Sequence, residues 1–131
     1  MNSSKKIKLW LIKNKNSIKP ITHEEEILSR NLTTLRRHEF RHSRGYVREV
    51  LSILFRVPPL KIPLNSPPGK APILPLKFGY VSFSHSSDAL LICWSSKPIG
   101  VDIERIDRSF DSIKIMDGFY SEAEKKYISC L

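Results

Sequence analysis

Prolines are concentrated in one segment of this 131-residue chain, between residues 57 and 77. Because proline fixes φ and lacks a backbone amide donor, this segment can form neither a helix interior nor a central strand. We therefore predict a long ordered loop, the proline-rich loop, between a helix-forming region and a strand-forming region. It contains seven of the nine prolines: Pro58, Pro59, Pro63, Pro67, Pro68, Pro72 and Pro75.

The residues before the loop predict one strand and two helices. The segment IKLWLIKN, residues 7–14, mixes apolar and lysine residues over the length of a strand. Thr22 and Glu25 form a capping-box pattern at the start of THEEEILSRNLTTLRR, which predicts a first helix. Its apolar face would contain Ile27, Leu28, Leu32 and Leu35. A second helix is predicted through SRGYVREVLSILF by the helical spacing of Tyr46, Val47, Val50, Leu51, Leu54 and Phe55.

The residues after the loop predict three strands at hairpin spacing. These are FGYVSFS, ALLICWS and IGVDIERI, joined by the turn segments HSSD and SKP. A second capping-box pattern, Ser121 with Glu124, predicts a last helix that starts near the end of the chain. The length suits one domain with a hydrophobic core.

The net charge of +9 predicts anionic partners, which could be nucleic acid, phosphorylated small molecules or an acidic protein. The alternative is a basic surface that only keeps the chain soluble. Cys93 and Cys130 do not suggest a disulfide framework, and neither a signal peptide nor a membrane span is apparent. We therefore predict a cytoplasmic protein with no membrane partner.

Four arginines define what we call the arginine row. At spacings of i, i+4, i+7 and i+11 they would share one face of a continuous helix. One interpretation is a solvated face with Glu39 and Glu49 as local compensation; the other is a phosphate-binding stripe, since the guanidinium fork suits phosphate oxygens. The spacing does not separate a nucleic acid from a nucleotide cofactor. The row consists of Arg37, Arg41, Arg44 and Arg48.

Two further segments contain groups that could bind an anion. In PPGKAP, Gly69 lets the backbone approach a ligand and Lys70 supplies a charge, although the spacing is not that of a P-loop. In FSHSSD, His85 lies between Ser84 and Ser86 at the end of a strand, with Asp88 close behind, and the imidazole can donate when protonated. The alternatives are a solvated loop lysine and a turn histidine.

Asp102 and Glu104 are two residues apart in a predicted strand, so both would leave the same face. Carboxylates suit Mg²⁺, which often bridges one or two of them to a substrate phosphate. The alternative is an acidic pair on an exposed strand, salt-linked to Arg105 or Arg108.

Taken in order, these pieces resemble the 4'-phosphopantetheinyl transferase superfamily. The resemblance is to the larger, two-half type that activates fatty-acid, polyketide and nonribosomal peptide carrier proteins. Its strongest part is FSHSSDALLICWSSKPIGVDIE, preceded by SRGYVREVLS and PPGKAP and followed by the weaker FYSEAE, so it covers about residues 25–131. It implies an α+β fold of two pseudo-twofold-related halves, each a small antiparallel sheet with packed helices. Residues 1–97 would be the first half and 98–131 the beginning of the second.

The resemblance also implies site residues, carried over by position. Coenzyme A, the co-substrate, would lie between the halves. The residues expected to contact it are Arg44, Arg48, Lys70, Ser84 and His85. Asp102 and Glu104 would hold Mg²⁺ and act in catalysis, and Glu124 would be a further catalytic acid unless it only caps a helix. The reaction would transfer the phosphopantetheine arm to a serine of an acyl or peptidyl carrier protein, releasing 3',5'-ADP.

The sequence also departs from the family pattern. The loop reads GKAP where GKP is usual, Ser82 replaces a common asparagine, and Glu39 stands where an arginine is usual. The second signature, W-x-x-K-E, which brings a third metal-binding acid, is absent. We therefore expect a fragment, a prematurely ended product or an engineered piece, with slow or undetectable transfer unless a second copy completes the cleft in a homo-oligomer. The rival hypotheses are a nucleic-acid-binding module, which leaves SHS and GVDIE unexplained, and a non-catalytic remnant that binds coenzyme A or the carrier protein.

Overall fold

The structure, a computed structural model, describes the backbone of residues 6–13, 17–86, 89–105, 111–117 and 126–130, and the side chains of these residues as far as Val101. The chain forms two compact units. One, the helical unit, is Asn14–Ile73, and the other, the sheet unit, combines Met1–Lys13 with Leu74–Leu131. This division does not coincide with the boundary at residue 97, which concerns the halves of the family and stays a prediction.

Two helices form the framework of the helical unit: α1, His23–Ser29, and α2, Thr34–Phe55. The predicted capping box is confirmed, because the Glu25 amide donates to Thr22 Oγ1 and the Thr22 amide donates to Glu25 Oε1. The predicted extent of the first helix is wrong. A new N-cap at Thr33, which accepts from the Arg36 amide, starts α2 well before the residues that predicted it.

The proline-rich loop is confirmed as ordered backbone with little regular structure. It starts where α2 ends, at Arg56, whose φ of 57° turns the chain away from the helix. Within it, one short 3₁₀ turn covers Pro59–Lys61 and a second covers Leu76–Phe78. Between them, Asn65 and Ile73 form an isolated antiparallel bridge that closes the tip of the loop.

In the part of the sheet unit that the structure describes, there are six strands in two antiparallel sheets. The first sheet has the order β1-β3-β2, with β1 at Ile7–Ile12, β2 at Tyr80–His85 and β3 at Leu90–Ser95. The second has the order β4-β5-β6, with β4 at Ile99–Arg105, β5 at Asp111–Asp117 and β6 at Lys126–Cys130. The strands predicted from residues 7–14 and from the three segments after the loop are all confirmed.

The core of the sheet unit lies on the central strand β3, where Leu90, Leu91, Ile92 and Cys93 are all buried. On one face, Leu11, Ile99 and Val101 pack against a cluster of Ala89 and Leu91. These contacts place β4, which also lies against β2, next to the first sheet. The apolar run ALLIC, residues 89–93, is therefore the buried centre of this sheet, with side chains buried on both of its faces.

The last predicted helix is wrong where the structure describes it. Lys126–Cys130 is strand β6, paired with β5, while Ser121 and Glu124 lie outside the described residues. The aromatic and β-branched side chains of Tyr127 and Ile128 favour a strand, and β5 provides an edge for pairing. The α+β class holds in its general form, with antiparallel sheets and two helices. None of the described helices is both long enough and apolar enough to cross a bilayer.

Candidate functional site

The four arginines of the row lie on one helix, α2, whereas the sequence predicted two separate helices over this region. Contacts within the chain engage all four guanidinium groups. Arg37 donates from Nε to the Ser29 carbonyl at 3.2 Å and from Nη2 to the carbonyls of Arg30 and Leu32 at 3.3 Å each. The C-terminal carbonyls of a helix lack partners within it. Arg37 therefore supplies donors to the end of α1 and to the turn that follows.

The carboxylates that neutralise the positive charge of Arg41 and Arg48 in the arginine row come from α1. Glu26 pairs with Arg41, and both side chains are about one-third exposed. Glu25 pairs with Arg48 in a two-pronged contact, Nε to Oε1 at 2.8 Å and Nη2 to Oε2 at 3.0 Å, and both side chains are buried. The sequence alone suggests Glu39 and Glu49 instead, because they are closer to the arginines along the chain.

Arg48 also binds the backbone of the proline-rich loop. Its Nη1 donates to the carbonyls of Pro59 at 3.1 Å and Ile62 at 2.8 Å, and its Nη2 reaches the Leu64 carbonyl at 3.5 Å. Together with the bonds to Glu25, these contacts give every N–H direction of the guanidinium an acceptor. Arg48 thus joins α1, α2 and the loop.

Arg44 is buried, with 7% of its surface exposed, and it holds the next part of the loop. It donates to the Ser66 carbonyl at 3.0 Å, to the Pro67 carbonyl at 3.2 Å and to Ser43 Oγ at 2.9 Å. Its guanidinium carbon lies 4.1 Å from the centre of the Phe40 ring. Burial lowers the pKa of Arg44 to about 10, and the negative charge of Glu25 offsets part of this effect.

Gly69 and Lys70 lie at the tip of the loop, in what we call the lysine turn, residues 67–70. The Lys70 amide donates to the Pro67 carbonyl at 3.4 Å, and Gly69 has a φ of 76°. Proline at the second position and glycine at the third are the signature of a type II turn. The Lys70 side chain is exposed, so the turn presents an ammonium group to solvent.

Ser84 and His85 lie at the end of β2, as predicted. They are aligned with Leu91 and Leu90 of β3, and as neighbours in a strand they belong to opposite faces. Both are half-buried. One ligand could therefore contact both only at the strand end. Asp88 lies outside the described residues.

Asp102 and Glu104 lie two residues apart on β4, as predicted. In the register of the second sheet they stand opposite Lys114 and Ser112. Residues two apart on a strand belong to the same face of the sheet. Among the side chains that the structure describes, which do not include these two, no group of three or more His, Cys, Asp or Glu residues could hold a metal.

A cavity of about 260 Å³ lies in the helical unit beside the Glu25–Arg48 pair. The sequence does not predict this cavity, and it marks Glu25 only as part of a helix cap. The available signal was the run Glu24–Glu26, three acids shortly before a row of arginines. The cavity is lined by Thr22, Glu24, Glu25, Leu28, Arg48, Leu64, Asn65, Ser66 and Pro67.

Comparisons of the chain with protein-family models, with curated proteins and with solved structures gave no match.

Proposed function

We propose that this chain supplies part of a 4'-phosphopantetheinyl transferase, which uses coenzyme A and Mg²⁺ to modify a serine of an acyl or peptidyl carrier protein. The observation that carries the proposal is the contact of β4 with β2 and β3. It brings the strand ending in Ser84 and His85 next to the strand containing Asp102 and Glu104. The two parts of the strongest resemblance are thus neighbours in the fold as well as in the sequence.

The proposed reaction needs a site rich in positive charge. The carrier serine oxygen forms a bond to the β-phosphorus of coenzyme A, the bond from that phosphorus to the bridging oxygen breaks, and 3',5'-ADP leaves with the electron pair. The serine proton goes to a carboxylate or a water molecule. Lys70 and His85 would bind phosphate oxygens, and Asp102 and Glu104 would hold Mg²⁺, which neutralises pyrophosphate charge when bound.

The net charge of +9 also supports the proposal, because acidic carrier proteins would be attracted to a basic surface. The same charge suits a nucleic acid, but the contacts of the arginine row do not favour that rival. Arg44 and Arg48 are buried, and Arg37 and Arg41 are bonded to α1. Phosphate binding by a nucleic acid would have to displace these contacts.

The test combines labelling with binding. The full chain is incubated with an apo carrier protein, Mg²⁺ and a fluorescent coenzyme A, and the affinity for coenzyme A is measured by calorimetry. We expect binding that weakens roughly tenfold in Lys70→Ala and in His85→Ala, since each removes a charge-assisted contact. Lys61→Ala is the matched control, because Lys61 is another exposed lysine of the helical unit.

Each alternative predicts a different result. Binding without labelling would indicate a non-catalytic remnant. Absence of both binding and labelling would reject both transferase-derived hypotheses. Tight, salt-dependent binding to random DNA that is unchanged in the two variants would favour a nucleic-acid-binding module.

A further inference from the structure

The proline-rich loop has fewer backbone amide donors than carbonyl acceptors, because seven of its residues are prolines. Each proline in it contributes a carbonyl acceptor and no backbone N–H. Amides of the loop satisfy part of this need, since the Pro59 carbonyl accepts from the Ile62 amide and the Ile62 carbonyl from the Leu64 amide. Further donors come from outside the loop. In this chain two side chains of α2 provide them: Arg48 bonds to the carbonyls of Pro59, Ile62 and Leu64, and Arg44 bonds to those of Ser66 and Pro67.

The contact of Arg44 with Pro67 connects this anchoring to the lysine turn. The Pro67 carbonyl accepts from Arg44 Nη2 at 3.2 Å and from the Lys70 amide at 3.4 Å. The second bond closes the turn that carries Lys70. Asn65, two residues before the lysine turn, and Ile73, three residues after it, exchange two backbone bonds, at 2.9 and 2.8 Å. The turn therefore has a fixed base, and Arg44 is bonded directly to it.

The surroundings of Arg44 leave little room for a second set of acceptors. One face of the guanidinium lies against the Phe40 ring, and its edges are bonded to Ser43, Ser66 and Pro67. A phosphate would have to displace these bonds, whereas the exposed Lys70 ammonium can meet it without rearrangement. Lowering of the Arg44 pKa by burial is consistent with acceptors that are neutral oxygens.

We infer that Arg44 and Arg48 are positioning residues, which hold the proline-rich loop so that the lysine turn presents Lys70 to a phosphate group of the ligand. The inference rests on the proposed function for the identity of that ligand. It assigns the two arginines a role through Lys70 instead of direct contact with phosphate.

The test is a double-variant cycle on the full chain, with 3',5'-ADP as the probe. Its dissociation constant is measured for wild type, Arg44→Gln, Lys70→Ala and the double variant. We expect each single substitution to weaken binding about tenfold. The double variant should bind no more weakly than Lys70→Ala alone, because the position of the turn affects binding only through the lysine side chain. Arg36→Gln is the control, since Arg36 is exposed on the same helix and loses the same charge.

A second measurement needs no ligand. Amide hydrogen exchange of Asn65, Lys70 and Ile73 is followed in the free chain. We expect roughly tenfold faster exchange in Arg44→Gln and no change in Arg36→Gln, because only the first removes a bond to the base of the turn. Arg44→Lys keeps the charge but cannot reproduce the planar arrangement of donors, so the same amides should also exchange faster in this variant. It replaces Arg44→Gln in the experiment if the glutamine variant does not fold.

The outcomes separate the inference from the proposed function. If wild type binds neither 3',5'-ADP nor coenzyme A, the proposed function is rejected, and with it the ligand-binding part of the inference, while exchange still decides whether Arg44 orders the turn. If Arg44→Gln weakens binding by the same factor with and without Lys70, Arg44 acts on the ligand independently of Lys70 and the positioning role is wrong. If the amide exchange rates of Arg44→Gln equal those of wild type, Arg44 does not order the turn and the positioning role is wrong.

Discussion

Replacing Glu25 by glutamine should destabilise the helical unit, because the Glu25–Arg48 pair is buried. The side chains are 6% and 3% exposed, respectively. Glutamine has nearly the same shape, and its oxygen can still accept the Thr22 amide, so the capping box survives. What changes is the hydrogen bond from Arg48 Nη2 to Glu25 Oε2, because the amide nitrogen that replaces Oε2 is itself a donor and would face a donor.

The expected cost follows from the burial of the pair. Removing one partner of a buried ion pair costs about 3–5 kcal/mol, since the remaining charge keeps its desolvation penalty. We expect about 3 kcal/mol for Glu25→Gln, because part of the hydrogen bonding is kept. Glu25→Ala should cost about 1 kcal/mol more, because it also removes the carboxylate oxygen that accepts the Thr22 amide in the capping box. Against a total stability of roughly 5–15 kcal/mol, either change is large.

The assay is urea unfolding followed by far-ultraviolet circular dichroism, which reports on the two helices. With a slope of about 2 kcal/mol per M, a loss of 3 kcal/mol lowers the midpoint by about 1.5 M. Glu24→Gln is the matched control, because Glu24 is the adjacent residue, is exposed and loses the same charge, so its cost should stay below about 1 kcal/mol. Equal midpoints for the two variants would refute the reasoning that burial makes this pair important.

Three further predictions concern other positions. Gly45→Ala should cost roughly 1–3 kcal/mol in urea unfolding despite the better helix propensity of alanine, because its Cβ would lie 2.6 Å from the backbone oxygen of Lys19; an unchanged midpoint would show that the segment before α1 yields easily. Gly79→Ala should lower the thermal midpoint of the sheet unit, followed by tryptophan fluorescence, since φ is 81° and the new Cβ would lie 2.8 Å from the Ser95 oxygen; a midpoint within error of wild type would contradict this. The last concerns Arg44, whose pKa is about 10 in the folded chain and higher in the unfolded chain. Between these values the unfolded chain binds more protons, so the stability of wild type relative to Arg44→Gln should rise with pH above about 10. A flat difference between pH 9 and 11, measured by urea unfolding, would contradict this.

Most of the local structure follows from short-range patterns in the sequence. The capping box at Thr22 and Glu25, the hairpin of β2 and β3 and the loop nature of the proline-rich segment were all predicted, because each depends on residues a few positions apart. The break between α1 and α2 was missed, since Leu32 and Leu35 continue an apolar spacing that the cap at Thr33 interrupts. Strand β6 was missed for a different reason, because its pairing with β5 joins separate segments.

Some features of the candidate site also follow from short-range patterns in the sequence. The sequence placed Lys70 at the tip of a loop, Ser84 and His85 at a strand end, and Asp102 and Glu104 on one strand, and the structure describes each of them there. These positions follow from turn and strand signals alone.

The environment of the arginine row was decided by the tertiary structure. The spacing of Arg37, Arg41, Arg44 and Arg48 predicts one helix face equally well whether that face meets solvent, a ligand or the rest of the protein. Glu25 lies 23 residues before Arg48, and the carbonyls of the loop lie 11–16 residues after it. Only the packing of α1 and the loop against α2 brings these groups together. Burial then makes Arg44 and Arg48 hydrogen-bonded anchors of the loop, because a buried guanidinium must find acceptors for its donors.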